Sequence, residues 1–374
     1  TCGQNSYVSP ALQENLKGFF EKYNSAVSIE YMSNIEIEES LNLNVCMDAR
    51  YVIPKKVKEF LPDIVISFGG NIFAGIKEQF RKFAGEFEHW LVQEDGRVVD
   101  LYKSITTIFE CKPEYFFKYC VNATDENQKN DCEYYQGLKN YADSVVYPDF
   151  PYSHVYAIKE VVEKIPADSV LHLSINDSIR ITNFFKLNPR IKTYANIGTH
   201  GIDGCLSSFL GQAAAGNKQS YLVIGDLAFF YDMNAMRLRH IKNNVHILLI
   251  NNEGGSEFYF NHMWKDEASD LHTTARHHTK AEGWVKSNNF TYLSAHDKES
   301  MQEALKEFMR SDLEKPVFLE VFTEMKTDSD VIYDFFDLSR PKDVQSETIR
   351  KSKEFIKATI GQEKAQKIAG LFKK

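Results

Sequence analysis

From residue 155 to residue 322 the chain alternates short apolar runs with amphipathic stretches, and few architectures accommodate that order. Val155–Lys164 has helical spacing and Val170–Ser174 reads as a strand. Ser178–Lys186 is helical and Lys192–Asn196 a strand. Ile202, Leu206, Leu210 and Ala213 share one face of a helix over Ile202–Ala215. Tyr221–Ile224 is a strand, Met233–Lys242 a helix, and Val245–Ile250 a strand interrupted only by His246. Phe290–Ser294, Ser300–Ser311 and Val317–Phe322 continue as strand, helix and strand. Such strands, joined by helices, imply right-handed crossovers and a parallel sheet covered on both faces.

Upstream the same grammar is shorter. Ala26–Tyr31 is expected as a strand, as is the apolar run Asp63–Phe68, which Gly69 and Gly70 end. Gly75–Phe83 follows as a helix, and His89–Gln93 as a strand closed by Glu94, Asp95 and Gly96. A polar stretch within residues 122–150 and the segment Tyr147–Pro151 mark a break. With 374 residues the chain is long enough for two cores. The expected fold class is therefore α/β with two doubly wound parallel-sheet domains, residues 1–145 and 151–330. A helical tail, 331–374, completes it, with an amphipathic helix from Lys342.

In a parallel sheet, ligands bind beyond the carboxyl ends of the strands. The run ending at Ile224 leads into Gly225, Asp226 and Leu227; the run ending at Ile250 leads into Asn251, Asn252, Glu253, Gly254 and Gly255. Asn252 follows Asp226 by 26 residues, about one strand–helix–strand crossover, so the two tips should meet. Magnesium seeks hard oxygen ligands and keeps phosphate oxygens among them. Asp226 would give an anionic oxygen, the Asn252 amide a neutral one, and the Gly254 carbonyl a third. The helix after Leu227 would offer free N–H groups to a phosphate. A lone GD at a strand end is a common turn or cap, and NN alone suits turns equally well.

The pair together resembles the GDG…NN signature of thiamine-diphosphate enzymes, with Leu227 in place of the last glycine. Asn196-Ile197-Gly198-Thr199-His200-Gly201-Ile202-Asp203-Gly204, with Ser207 and Ser208, looks like the NRGASGIDG…ST segment of one branch of them. That branch is the 2-succinyl-5-enolpyruvyl-6-hydroxy-3-cyclohexene-1-carboxylate synthase (MenD) family of menaquinone biosynthesis. Gly225–Leu227 with Asp232-Met233-Asn234 is similar to its GDL…DLN, and NDSIR at Asn176–Arg180 loosely resembles its GNSxxxR. SFGG at Ser67–Gly70 and HWLVQEDG at His89–Gly96 resemble its transhydrogenase-like middle domain.

The resemblance implies thiamine diphosphate and Mg2+ as cofactors and a 2-oxo acid decarboxylase or carboligase, a transferase or lyase. Asp226, Asn252 and Gly254 would bind the metal, and Gly201, Ile202, Gly225, Leu227 and Gly255 would join them around the cofactor. Ile202 would be the apolar wedge that bends the cofactor, pressing its aminopyrimidine toward the thiazolium ring; otherwise it is a core residue at a helix start. Where the family has arginine after the first Asn, this chain has Ile197; that arginine holds substrate carboxylates, so a different oxo acid is the alternative. His200 replaces a small residue and would be a catalytic proton donor or polar contact, or a hydrogen-bonded loop histidine. The family also carries an N-terminal pyrimidine-binding domain with a glutamate on the cofactor ring, for which this chain, opening on Thr1, has no counterpart. The expectation is a piece of a longer protein, or a subunit whose partner supplies that domain. Alone it would hold half a site in a homo-oligomeric (homodimeric) assembly; a non-catalytic cofactor-binding subunit is the rival.

Net charge is −8, with no basic stripe for a nucleic acid to neutralise. No apolar run is long enough to cross a bilayer. Six cysteines without a CxxC pattern fit free thiols in a reducing cytoplasm. His262, His272, His277 and His278 show no recognised metal spacing, and Phe258, Tyr259, Phe260 and Trp264 suit either a flap or a plain surface loop. A nucleotide-binding reading lacks the GxGxxG fingerprint.

Overall fold

The computed structural model describes residues 1–48, 54–73, 75–260 and 271–339. Among these, nine strands form two sheets that are parallel throughout. The first sheet has the order β1 (Ile64–Ser67), β2 (Glu88–Val92), β3 (Ile105–Phe109). The second contains β4 (Val170–Leu173), β5 (Lys192–Ala195), β6 (Ser220–Gly225), β7 (Val245–Asn251), β8 (Thr291–Ala295) and β9 (Val317–Phe322). Its order is β5-β4-β6-β7-β9-β8. The chain thus leaves β4 for one side and returns past it to β6, which makes the β4–β6 border the topological switch point, where open α/β sheets place ligands. Residues to Leu338 fall in one unit and Ser339–Lys374 in another. The tail expected from Lys342 lies outside the described residues, whereas 331–339 belong to the helix Met325–Ser339.

Two cores explain the apolar runs. Side chains of a strand alternate between faces, so a strand covered on both sides is apolar at every position. In β7, Leu248 and Ile250 enter the core beneath the helix His154–Val162 together with Tyr221 and Val223. Val245, Ile247 and Leu249 enter the opposite core with Leu222, Ile224 and residues of the helix Cys205–Ala215. Each fully buried aliphatic side chain contributes about 1.5–3 kcal/mol. His246 is the polar exception: its Nδ1 lies 2.7 Å from the Phe308 carbonyl and its Nε2 2.7 Å from Gln219 Oε1, and burial pushes its pKa down to about 4.

Several expected elements shift. Ala26–Tyr31 is not a strand; Ser28 and Ile29 make single bridges, to Leu41 and Cys2. The helix expected from Ile202 begins at Cys205, because Gly204 adopts φ +74° and breaks the turn before it. The helix expected at Met233–Lys242 starts earlier: Asp226–Asp232 is helical and Met233–Arg237 continues as a 3-10 turn. Strand β3 and the helices Pro10–Lys22, Pro113–Ala123 and Glu133–Asp143 are additional.

Loops of the first region fasten the edge strand β5. The Asn34 side chain donates to the Thr193 carbonyl at 3.0 Å and accepts from the Thr193 N–H at 2.8 Å, so the amide acts as one more rung. Gln4 Nε2 donates to the Ala195 carbonyl at 2.6 Å. A cavity of about 570 Å³ lies under the first sheet, walled by β1, Val27, Phe80, Phe117 and Leu138. Its wall is mostly apolar, with Asn24, Ser25 and Asp63 among its polar residues, and none of its lining residues comes from the second sheet.

Candidate functional site

Because all strands of the second sheet run the same way, their carboxyl ends share one edge, and the polar residues that follow them gather there. The ladder pairs Gly225 with Ile250, so Asp226 and Asn252 leave neighbouring strands one and two residues beyond that rung. Both are buried, Asp226 at 2 % exposure and Asn252 at 5 %. The NNEGG turn folds back over Asp226: the Gly254 N–H donates to Asp226 Oδ2 at 2.9 Å, while Oδ1 accepts the Leu227 N–H at 2.6 Å. Asp226 also opens the helix Asp226–Asp232, where a carboxylate is favoured by the helix dipole.

Gly254 has φ +152°, and a Cβ there would stand 2.7 Å from the Thr274 carbonyl oxygen. At Gly225 a Cβ would meet nothing within 4 Å, so the backbone at this tip faces open space. The turn is tied down at Gly255, whose N–H donates to the same Thr274 carbonyl at 2.7 Å.

The two asparagines do different work. Asn251 Nδ2 donates to Glu320 Oε1 at 2.7 Å and to the Thr279 carbonyl at 2.9 Å. Glu320 is fully buried and also accepts from Tyr292 Oη at 2.7 Å and from the Ala281 N–H at 3.1 Å. Asn251 therefore braces the sheet. Asn252 Nδ2 instead donates to Asp328 Oδ2 at 3.0 Å. A carboxylate only accepts, which fixes the nitrogen on that side and turns the amide oxygen to the other.

His277 is the member of the histidine patch that reaches Asp226. Its Nε2 lies 3.4 Å from Asp226 Oδ2, and the ring packs edge-on against Phe230. Its Nδ1 accepts the Thr279 N–H at 3.1 Å, which leaves the neutral ring's proton on the nitrogen facing Asp226. The Asp226 contact raises its pKa against the opposing effect of burial. His278 turns away to Glu253, His272 is exposed, and His262 and Trp264 lie outside the described residues. Among the described residues no three His, Cys, Asp or Glu side chains cluster to hold a metal. Phe258, Tyr259 and Phe260 belong to a short helix, Ser256–Phe260, where Tyr259 Oη accepts from Arg276 Nη2 at 3.1 Å.

On the other side of the switch point the segment after β5 carries the second motif. Asn196 Nδ2 donates to the Gly204 carbonyl at 3.0 Å and to Ser208 Oγ at 2.9 Å, closing the loop. Ile202 is half-buried in the turn, against the core that holds Leu206 and Leu210. Gly201 precedes it, with Asp203 Oδ1 where a Cβ would sit. His200 is exposed, has φ +56° and stacks on Phe73 with ring centroids 5.7 Å apart. Ile197 is buried at 1 % exposure in the core with Leu248 and Ile250, so that position presents no polar group to the cleft. Asp232 joins the two motifs, accepting the Ser207 N–H at 2.7 Å and its hydroxyl at 2.8 Å through Oδ2.

A buried charged chain beneath this edge was not foreseen from the sequence. Asp328, fully buried, accepts the His154 N–H at 2.8 Å through Oδ1 and the Thr323 hydroxyl at 2.6 Å through Oδ2. The His154 ring lies between two carboxylates, Nδ1 at 3.3 Å from Asp328 and Nε2 at 3.6 Å from Asp177. Asp177 in turn accepts from Arg180 Nη1 at 2.6 Å and from Ser256 Oγ at 2.8 Å, and Arg180 also pairs with Glu257. Burial alone would lower the His154 pKa, but Asp328 and Asp177 outweigh it and hold it up at about 9. Burial likewise opposes the charge on Asp177, yet His154 and Arg180 keep its carboxyl well below the usual range.

The sign of the pH effect follows. The histidine pKa is about 6.5 unfolded and about 9 folded, so its stabilisation is complete below 6.5 and is lost as pH rises through 9. His154→Gln should therefore be less stable than wild type by on the order of 3 kcal/mol near pH 6, with the gap narrowing toward pH 10. Urea unfolding of both proteins at the two pH values checks this; a gap that does not change with pH contradicts it.

All six cysteines are free. No helix among the described residues is long and apolar enough to cross a membrane.

No family model matches the chain. Curated relatives do. The chain is 34 % identical over 286 residues to the 2-succinyl-5-enolpyruvyl-6-hydroxy-3-cyclohexene-1-carboxylate synthase of Bacteroides fragilis, covering 76 % of this chain and 51 % of that protein. It is 33 % identical over 288 residues to the same synthase of Phocaeicola vulgatus, again 76 % and 51 %. With that of Flavobacterium psychrophilum it shares 32 % over 282 residues, 74 % and 50 %. The chain spans about half the length of the curated relatives it matches. By sequence it is thus a relative of the 2-succinyl-5-enolpyruvyl-6-hydroxy-3-cyclohexene-1-carboxylate synthases over that half of their length.

Proposed function

We propose that this chain carries the diphosphate-binding part of a thiamine-diphosphate- and Mg2+-dependent enzyme acting on a 2-oxo acid. The observation that supports this most is the meeting of Asp226, Asn252 and the Gly254 turn at adjacent strand tips beside the switch point. The donor set fits a hard cation: one carboxylate, one amide oxygen turned away from Asp328, and the carbonyl of a glycine whose conformation admits no side chain. Asp226, Asn252 and Gly254 would hold the metal. Gly225, with open space before it, and Leu227 and Gly255 would flank the diphosphate, helped by the positive end of the helix Asp226–Asp232. Gly201 and Ile202 would meet the body of the cofactor, with Ile202 as its apolar support.

When bound, thiamine diphosphate supplies the nucleophilic carbon and electron sink for cleaving a 2-oxo acid. The chain's own residues would fix the diphosphate, neutralise its charge and shape the cleft. The exposed His200 would stand at the entrance as a proton donor or polar contact. A pyrimidine-binding domain, from a longer chain or a second copy in a homo-oligomer, would complete the site. The burial of Ile197 favours a second reading of the substrate: an oxo acid bearing fewer carboxylates than the family's arginine would hold. A menaquinone-pathway role is part of the proposal and rests on the relatives' names; a cytoplasmic location is proposed from the six free cysteines.

Calorimetry tests the cofactor. Thiamine diphosphate should bind with Mg2+ present and lose most of its affinity in EDTA, while ATP and NAD should not bind. Equal binding with and without the metal, or tighter binding of a nucleotide, would refute the function.

A further inference from the structure

We propose that Asp328 is a positioning residue for Asn252: it holds the amide nitrogen so that the oxygen stays presented as a ligand. This deepens the metal-site reading above and rests on it. Three observations carry it. Asn252 is 5 % exposed, and a buried primary amide needs its orientation fixed by its neighbours. The Asp328 carboxylate, fully buried, takes Asn252 Nδ2 at 3.0 Å. Asp328 is itself held from three sides, by the His154 N–H at 2.8 Å, the Thr323 hydroxyl at 2.6 Å and the His154 ring at 3.3 Å.

Asp328 comes from the helix after β9, Asn252 from the tip of β7 and His154 from the start of another helix. Partners behind a metal ligand set its orientation, and their loss lowers metal affinity about 10–100-fold. The same network reaches Asp177 and Arg180 beyond the tip of β4, and Ser256 beyond the tip of β7, so a single framework spans both sides of the switch point.

The test uses the 374-residue chain in two states. In the protein without cofactor, the side-chain NH2 signals of Asn252 are followed by NMR hydrogen exchange. With thiamine diphosphate added, Mn2+ affinity is read by the loss of the free-ion EPR signal. Asp328→Ala should expose the Asn252 amide to exchange and weaken Mn2+ binding about 10–100-fold. Asp328→Asn, which keeps the shape, should fall between that variant and wild type. Thr323→Val removes one of the donors that hold Asp328 and should weaken Mn2+ binding less than Asp328→Ala does. The inference is overturned if a folded Asp328 variant keeps wild-type Mn2+ affinity and a protected Asn252 amide, or if both Asp328 variants fail to fold. Should wild type bind no Mn2+ with thiamine diphosphate, the metal-site reading fails, and the NMR experiment alone then decides whether Asp328 orients Asn252.

Discussion

Asp226→Ala is expected to abolish metal-dependent binding of thiamine diphosphate. Among the three proposed ligands only Asp226 is anionic, and it is 2 % exposed, so no water or neighbouring carboxylate easily replaces it. Removing one member of a buried charge contact costs about 3–5 kcal/mol, which lowers affinity by roughly two to four orders of magnitude. The variant should also lose some stability, because Asp226 accepts the Gly254 and Leu227 N–H groups in the folded chain. Leaving such donors unpaired costs about 1–3 kcal/mol, small enough for a folded variant to be measured. Asp226→Asn keeps one of the two acceptor oxygens and loses the charge; it should recover part of the stability and none of the binding. Calorimetry and thermal melts on the three proteins separate the two effects. Tight binding by the alanine variant would move the metal elsewhere.

The second large effect is expected at Gly254. Alanine there must adopt φ near +152° with its Cβ 2.7 Å from the Thr274 carbonyl oxygen. That oxygen cannot simply retreat, since it holds the Gly255 N–H at 2.7 Å. Backbone strain of this kind costs about 1–3 kcal/mol, so Gly254→Ala should be destabilised by that amount and should also bind the metal poorly. Gly225→Ala is the informative contrast. Its φ is −84° and a Cβ there meets nothing within 4 Å, so the protein should be as stable as wild type or slightly more so. The added methyl would nevertheless stand where the diphosphate is expected and should weaken its binding. If Gly225→Ala binds normally, the cofactor does not pass that strand tip.

Much of the second sheet was legible in the sequence because its strands are buried on both faces. A run such as Val245–Ile250 has no soluble alternative, and alternate residues fall into two separate cores. Strand β3 was not legible: ITTIF carries two threonines and is only partly buried, so the apolar signal that marks its neighbours is diluted. Ala26–Tyr31 misled for the opposite reason. Its apolar content serves packing of Val27 against Phe20 and Phe68, and the backbone there makes only isolated bridges.

At the site, Asp226 and Asn252 stood out because each comes two residues after the end of an apolar run. Asp328 and His154 did not, and Asp177, although inside the NDSIR segment, gave no sign of its buried partners. Asp328 sits in a stretch, TEMKTDSD, that looks like a solvated helix face, and its burial is decided by where Asn252 and His154 arrive from distant parts of the chain. His154 reads as an ordinary residue at a helix start until two carboxylates close around it. A charged network assembled from separate elements has no local spacing to betray it. His277 had a local signal, its histidine neighbours, but its partner proved to be Asp226 rather than another histidine.

The most direct measurement is a crystal of this chain grown with thiamine diphosphate and Mn2+, with the ion located by its anomalous signal. A single peak within ligand distance of the Asp226 carboxylate, the Asn252 amide oxygen and the Gly254 carbonyl, beside the diphosphate, is the predicted result. An ion bound instead among the loop histidines, or a diphosphate seated away from Gly225, would contradict it.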